Sequence, residues 1–169
     1  FIPVHGNTSD ITSYLISLKM VLTLRTADKN TFERALQLIN KTNQFNLNGI
    51  RVTKEDLIKT LEYGGKLIVG QLSDKNGNSG EVIAILINKN NEVLTFVMSC
   101  RVFQRQAEYA FIAAIQEYGY SDLKFKFIPN KRNLPFIEFA RECGKPEDQD
   151  SFSIDRAKFN EFSSSRHIN

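Results

Sequence analysis

The sequence is short of the residues that usually build metal and disulfide sites. Among 169 residues there are two Cys, two His, four Pro and no Trp. Cys100 and Cys143 stand far apart, which excludes a disulfide framework and a cysteine-based metal cluster. No metal is expected, and a reducing, cytoplasmic location is the simplest expectation. Neither His5 nor His167 falls in a motif, so neither supports a Cys–His nucleophilic pair. No apolar run approaches the ~20 residues that span a bilayer, and no signal-peptide pattern is present. A membrane partner is therefore not expected. The net charge of +3 comes from 22 basic and 19 acidic residues. These are interspersed along the chain, the pattern of a solvated surface, and nucleic acid is not an expected partner.

What is present is an ordinary apolar fraction, 41%, with 13 Phe as the main large core residue. The length fits one domain, expected over residues 11–160, after a linker at 1–10 and before a tail at 161–169. A short helix is predicted over Ile11–Leu18 and a strand over Val21–Arg25. Asn30 and Glu33 have capping-box spacing ahead of Phe32, Ala35, Leu36 and Ile39, which share one helical face. Thr53 and Asp56 are expected to cap a second helix, with Val52 and Leu57 as its hydrophobic staple and Gly64-Gly65 as its stop.

Three hairpin-linked strands follow, Lys66–Leu72, Glu81–Ile87 and Glu92–Cys100, and should be antiparallel. In the third, Val93/Val97 and Leu94/Phe96/Met98 are both apolar sets, so both faces should be covered. The apolar period then changes to that of a helix, from about Arg105 to Tyr118. A strand over Leu123–Ile128, a helix carrying Phe136, Ile137, Ala140 and Cys143, and a strand over Ser151–Ile154 complete the reading. The predicted class is α/β in the broad sense (α+β): a central, mostly antiparallel mixed sheet flanked by helices.

This order of elements resembles that of the GNAT acyltransferases. Three segments resemble, more narrowly, the C-terminal domain of FkbH-like proteins. Asn40-Lys41-Thr42-Asn43-Gln44-Phe45-Asn46-Leu47 is similar to their NKTNQFNLT signature. Ser99-Cys100-Arg101-Val102 with Arg105 and Glu108 is similar to their SCRVxGRgxE segment. Asp74, Asn76-Gly77 and Gly80 resemble the DrfGdnG turn between the two. The resemblance covers about residues 10–145. It implies a haloacid-dehalogenase-like phosphatase domain upstream, whose aspartate motif is not in this chain. It also implies a biosynthetic transferase acting on a thioester, with coenzyme A or a phosphopantetheine thioester as cofactor and acyl-CoA or an acyl carrier protein as partner.

Carried over residue by residue, the resemblance puts an acyl thioester beside Val97, Met98 and Ser99, whose backbone donors would polarise its carbonyl. A GNAT phosphate cradle would fall on the segment from Arg101 to Ala107, at the start of a helix. Arg101 fits that pattern and Arg105 would attract an anion, but Gln104 and Gln106 replace both cradle glycines. The general-acid Tyr of many such enzymes is replaced by Ala140, and Phe139 before it has no hydroxyl.

Cys100 is the candidate nucleophile, flanked by Arg101 ahead of a helix. Its alternative role is a small buried residue at a strand end. Gln44 and Asn46 would orient the acyl acceptor, or else the Asn43–Asn46 amides cap neighbouring backbone groups. Glu108 is expected to pair with Arg105 or Arg101. Lys124, Lys126, Lys131 and Arg132 form a basic cluster, a docking face for an acidic carrier protein or plain solvated charge. The function is thus an acyltransferase-like domain or, alternatively, a non-catalytic module that docks a carrier protein or the phosphatase domain. A small-molecule sensor is a third reading.

Overall fold

A computed structural model describes residues 20–165, with side chains as far as residue 160. The helix expected over 11–18, together with His5 and His167, lies outside the described residues. Eight strands form one sheet: β1 (Val21–Ala27), β2 (Phe45–Asn46), β3 (Lys66–Asp74), β4 (Gly77–Ile87), β5 (Glu92–Met98), β6 (Lys124–Lys126), β7 (Gly144–Asp148) and β8 (Ser151–Ile154). The helices are α1 (Glu33–Lys41), α2 (Lys54–Glu62), α3 (Ala107–Glu117), α4 (Leu134–Cys143) and α5 (Arg156–Ser165). The strands run in the order β1-β3-β4-β5-β6-β8-β7, with β2 attached to β5 off that path. All pairs are antiparallel except β5 with β6. The expected class, an α+β fold around a mixed, mostly antiparallel sheet flanked by helices, is observed.

The sheet buries both faces, as the apolar runs of β3, β4 and β5 require. On one face Leu67, Val69, Ala84, Leu86 and Val97 pack with Ala35 and Ile39 of α1 and Leu57 of α2. On the other, Ile83, Ile85, Phe96 and Met98 pack with α3 and α4 through Phe111, Ile115, Phe136 and Phe139. Gly70 of β3 makes room on that second face: a Cβ there would lie 2.5 Å from Ile83 and 3.1 Å from the Phe111 ring.

The two faces of β5 are not the sets that strict alternation gives. Leu86 opposes Thr95 and Ile87 opposes Val93, so Leu94 is bulged. Val93 therefore joins the face of Phe96 and Met98, while Leu94 packs on the face of Val97. Sequence period cannot register an inserted residue, because the bulge is set by the partner strand.

Local signals succeeded where their chemistry is complete. The Thr53 hydroxyl accepts from the Asp56 N–H at 3.0 Å, as its cap position demands. The Asn30–Glu33 capping box does not form. Phe32 is the residue at the α1 cap, without a side-chain bond, and the Asn30 N–H instead donates to Asp28 Oδ1 at 2.8 Å. Asp28 gathers that bond and the Thr31 hydroxyl into its own turn, ahead of the helix.

β4 begins at Gly77, so Gly77 and Asn78 pair with Asp74 and Ser73 of β3, Ser79 and Gly80 fall in a register shift, and the turn shrinks to Lys75-Asn76, held by Asp74 Oδ1 at 2.7 Å from the Asn76 N–H. β5 stops at Met98, α3 starts at Ala107, and β6 is confined to Lys124–Lys126. β2, β7 and α5 have no apolar period to announce them, and α5 carries the backbone past residue 160.

Candidate functional site

β5 and β6 pair only at Glu92–Lys124 and Val93–Phe125. Beyond that point they part, and the open edge of β5 is taken by β2, with Phe45 opposite Met98 and Asn46 opposite Val97. The Leu47 N–H donates to Phe96 O at 3.0 Å, and Leu47 O accepts from the Ile128 N–H at 3.2 Å. The segment after α1 thus bridges the gap. Behind it the Phe45 ring packs on Phe96, Phe136 and Phe139, with centroids 5.3, 4.8 and 5.7 Å away. The split between the strands is filled by the chain itself.

The asparagines of this region explain how two residues of strand hold their place. Asn46 is 1% exposed. Its Nδ2 donates to Thr42 O at 3.0 Å, and its Oδ1 accepts from the N–H groups of Asn48 and Gly49 at 3.2 and 2.8 Å. Asn48 Nδ2 reaches Leu94 O on β5 at 2.9 Å and Lys126 O on β6 at 3.4 Å. Asn40 holds both the N–H and the C=O of Val52, at 2.9 and 2.8 Å. Asn133, completely buried at the α4 cap, donates to Asn46 O and Ile128 O and accepts from the Asn130 N–H. Of the two roles open to this segment, backbone capping is therefore the one Asn46 performs. Buried and bound to backbone at both amide atoms, it does not orient an acceptor. Gln44 stays exposed.

In front of this plug lies a cleft of about 980 Å³, reached from the end of β5. Gln44, Met98, Ser99 and Cys100 line it, with Leu38 of α1 and Phe103 as apolar wall. Arg34 and Lys41 enter from α1, and Lys131 and Arg132 from the loop before α4. Among the described residues, no carboxylate lines it. Cys100 is exposed, on a 3-10 turn at Cys100–Val102, so the alternative of a buried residue at the strand end does not apply.

Val97 and Met98 are buried, and their backbone is paired with β4 on one side and β2 on the other. The Ser99 N–H donates to Val82 O at 2.7 Å. A donor already bound within the sheet does not polarise an incoming carbonyl, so this role is not available to Ser99. The Ser99 hydroxyl caps the turn, accepting from the N–H and the Nε of Arg101, each at 3.3 Å.

The expected phosphate cradle has a different character. None of Arg101, Gln104, Arg105 and Gln106 lines the cleft. Arg105 Nη1 is 3.3 Å from Asp74 Oδ2, a carboxylate only 8% exposed, so its charge is neutralised inside the protein rather than offered to a phosphate. This pair joins two of the three segments that carry the family resemblance. Glu108, expected to pair with Arg105 or Arg101, is buried at the start of α3.

Gln104 and Gln106 adopt φ of 66° and 62°, the left-handed region where glycine is favoured. Both glutamines thus hold backbone conformations that favour glycine. Each costs roughly 1–2 kcal/mol relative to a relaxed L-residue, partly offset by the lower chain entropy of a non-glycine. Gln104→Gly and Gln106→Gly are each expected to raise stability by about 0.5–1 kcal/mol. Urea unfolding checks this, and a lowered midpoint would show that the glutamine side chains hold the loop.

The general-acid Tyr is absent from α4, where Ala140 stands, but α3 supplies a hydroxyl to that helix. The Tyr109 O–H donates to Glu142 Oε2 at 2.5 Å, and its ring packs on Phe139. Burial, then that bond, then the charge of Glu108 push the phenol well above its ordinary range. Tyr109 does not line the cleft.

The basic cluster divides in two. Lys124 pairs with Asp148 at 2.9 Å and Lys126 with Glu92 at 2.8 Å, whereas Lys131 and Arg132 face the cleft. Arg34 and Lys41 escaped the sequence reading because they lie on the polar side of an amphipathic helix, where charge is ordinary. Among the described residues, no group of three or more His, Cys, Asp or Glu could hold a metal, and no helix is long and apolar enough to cross a membrane. Compared with models of known protein families the chain matches none, and compared with curated proteins it likewise has no match. The likeness to FkbH-like proteins rests on the three segments themselves.

Proposed function

We propose that this is a GNAT-like, acyltransferase-related domain of the FkbH-like kind, which receives a thioester-linked acyl group on the phosphopantetheine arm of a carrier protein rather than on ordinary coenzyme A. The observation that carries the reading is the cleft at the end of β5, with the exposed Cys100 in its wall. The strand order, and the parting of β5 from β6, are what a GNAT scaffold would give.

One feature turns the reading from coenzyme A to a carrier: at the expected pyrophosphate cradle, Arg105 is held by Asp74. Exposed Leu134 and its neighbour Pro135 line the cleft at the start of α4. Apolar residues beside Lys131 and Arg132 suit an acidic carrier with an apolar tip. In the catalytic form of the reading, Cys100 Sγ attacks the thioester carbonyl as a thiolate. The acyl group passes to Cys100, and the arm leaves as a thiolate that takes up the proton. Gln44, exposed on the cleft wall, is the remaining candidate to orient the acceptor.

The second reading, a docking module without chemistry, is favoured by the β2 plug and by the lack of a hydroxyl at Phe139 and Ala140. A calorimetric titration with an acetylated carrier protein and, separately, with acetyl-CoA tests the proposal. Binding of the carrier at least about tenfold tighter than of acetyl-CoA is expected. Equal or tighter binding of acetyl-CoA would contradict it. Thiol release by the wild type that is lost in Cys100→Ala selects catalysis; binding without release selects the docking module.

A further inference from the structure

The cleft has an electrostatic feature that the thioester reading does not require. Arg34 and Lys41 on one wall face the same space as Lys131 and Arg132 on the other, and among the described residues the lining includes no Asp or Glu. None of the four forms an ion pair with a carboxylate among the described residues, whereas Arg25, Lys54, Arg105, Lys124 and Lys126 all do. Surface cations usually sit among acids, as they do along most of this chain. Four of one sign around a concavity of about 980 Å³ repel one another, and a cleft focuses that field. An anion would relieve that repulsion, and no described residue of the lining does. Two arginines offer planar forks that match phosphate oxygens, and two lysines add point charges.

We infer that this cleft is a phosphate-ester site: Arg34, Lys41, Lys131 and Arg132 grip the phosphate of the ligand at the end of β5. The phosphate thereby sits off the end of β5, between α1 and the loop before α4, and not at Gln104 and Gln106. The ester belongs either to the arm of a carrier protein or to a free phosphorylated small molecule. The first source rests on the proposed function; the second does not.

The test compares 4′-phosphopantetheine, pantetheine and glycerol phosphate, titrated into wild-type protein and the double variant Lys131→Gln/Arg132→Gln. Both residues are exposed, so the variant is expected to fold, and circular dichroism checks that it does. Phosphopantetheine is expected to bind at least about tenfold tighter than pantetheine, with the difference lost in the double variant and weakened by salt. An equal affinity with and without the phosphate would overturn the inference, as would a difference that survives in the double variant. Glycerol phosphate binding at the same cations, with no affinity for phosphopantetheine, would keep the phosphate site and sink the carrier reading. Pantetheine binding that ignores the phosphate would do the reverse. If the double variant fails to fold, Arg34→Gln/Lys41→Gln carries the same comparison from the other wall.

Discussion

Asn133→Ala is expected to destabilise the domain by about 3 kcal/mol, an outsized effect for one polar side chain in a loop. Asn133 has no solvent exposure and makes three bonds to backbone groups. Its Nδ2 serves Asn46 O at 3.1 Å and Ile128 O at 3.2 Å, and its Oδ1 serves the Asn130 N–H at 2.9 Å. Alanine leaves the buried Asn46 carbonyl without this donor, at roughly 1–3 kcal/mol, and takes a bond from the part-buried Ile128 carbonyl and from the Asn130 N–H as well. The damage is also local to function, because these bonds tie β2 to the loop that carries Lys131 and Arg132. Asn133→Asp removes the same donors and buries a carboxylate against two carbonyls, so at neutral pH it should cost at least as much as alanine. Such a carboxyl has a folded-state pKa above its unfolded value, and the variant should regain stability as pH falls toward that pKa. Urea unfolding at pH 7 and pH 5 measures both effects. A loss below about 1 kcal/mol for Asn133→Ala would mean that water replaces the amide.

The same asparagines show which part of the fold was legible in the sequence. Strands β3, β4 and β5 and helices α1 to α4 carry their own apolar periods, so their order and the antiparallel class could be read from those periods. β2 has no such pattern. It is two residues long and exists because Asn46, Asn48 and Asn133 bind backbone groups from four separate segments. Those partners are distant in the chain: Asn133 and Asn46 are 87 residues apart. No local rule pairs them. The run of amides was visible as a signature, but its two meanings, capping and substrate binding, differ only in where the donors point.

The site was legible to a similar degree. Cys100, Ser99 and Gln44 do line one cleft, together with Met98. The glutamines at 104 and 106 were recognisable as misfits in a glycine pattern, and their positive φ shows that the backbone still needs what glycine provides. The fate of Arg105 was hidden, because its partner Asp74 lies at the end of β3, two strands before β5. The cationic cleft was half visible. Lys131 and Arg132 stood out beside Lys124 and Lys126, yet only the fold separates the pair facing the cleft from the pair bound to Asp148 and Glu92. Charge counts along a chain do not say which charges share a concavity.

The central claim is that the arm enters at the end of β5 and not at the start of α3. Amide hydrogen exchange of the wild-type protein, with and without saturating acetyl-phosphopantetheine, tests it most directly. Slowing of at least about tenfold is expected in 41–46 and 99–103 and in the first turn of α4, with 104–109 unchanged. Protection concentrated in 104–109, leaving 41–46 and the first turn of α4 as they are in the free protein, would place the phosphate at the glutamine-bearing cradle and contradict the account.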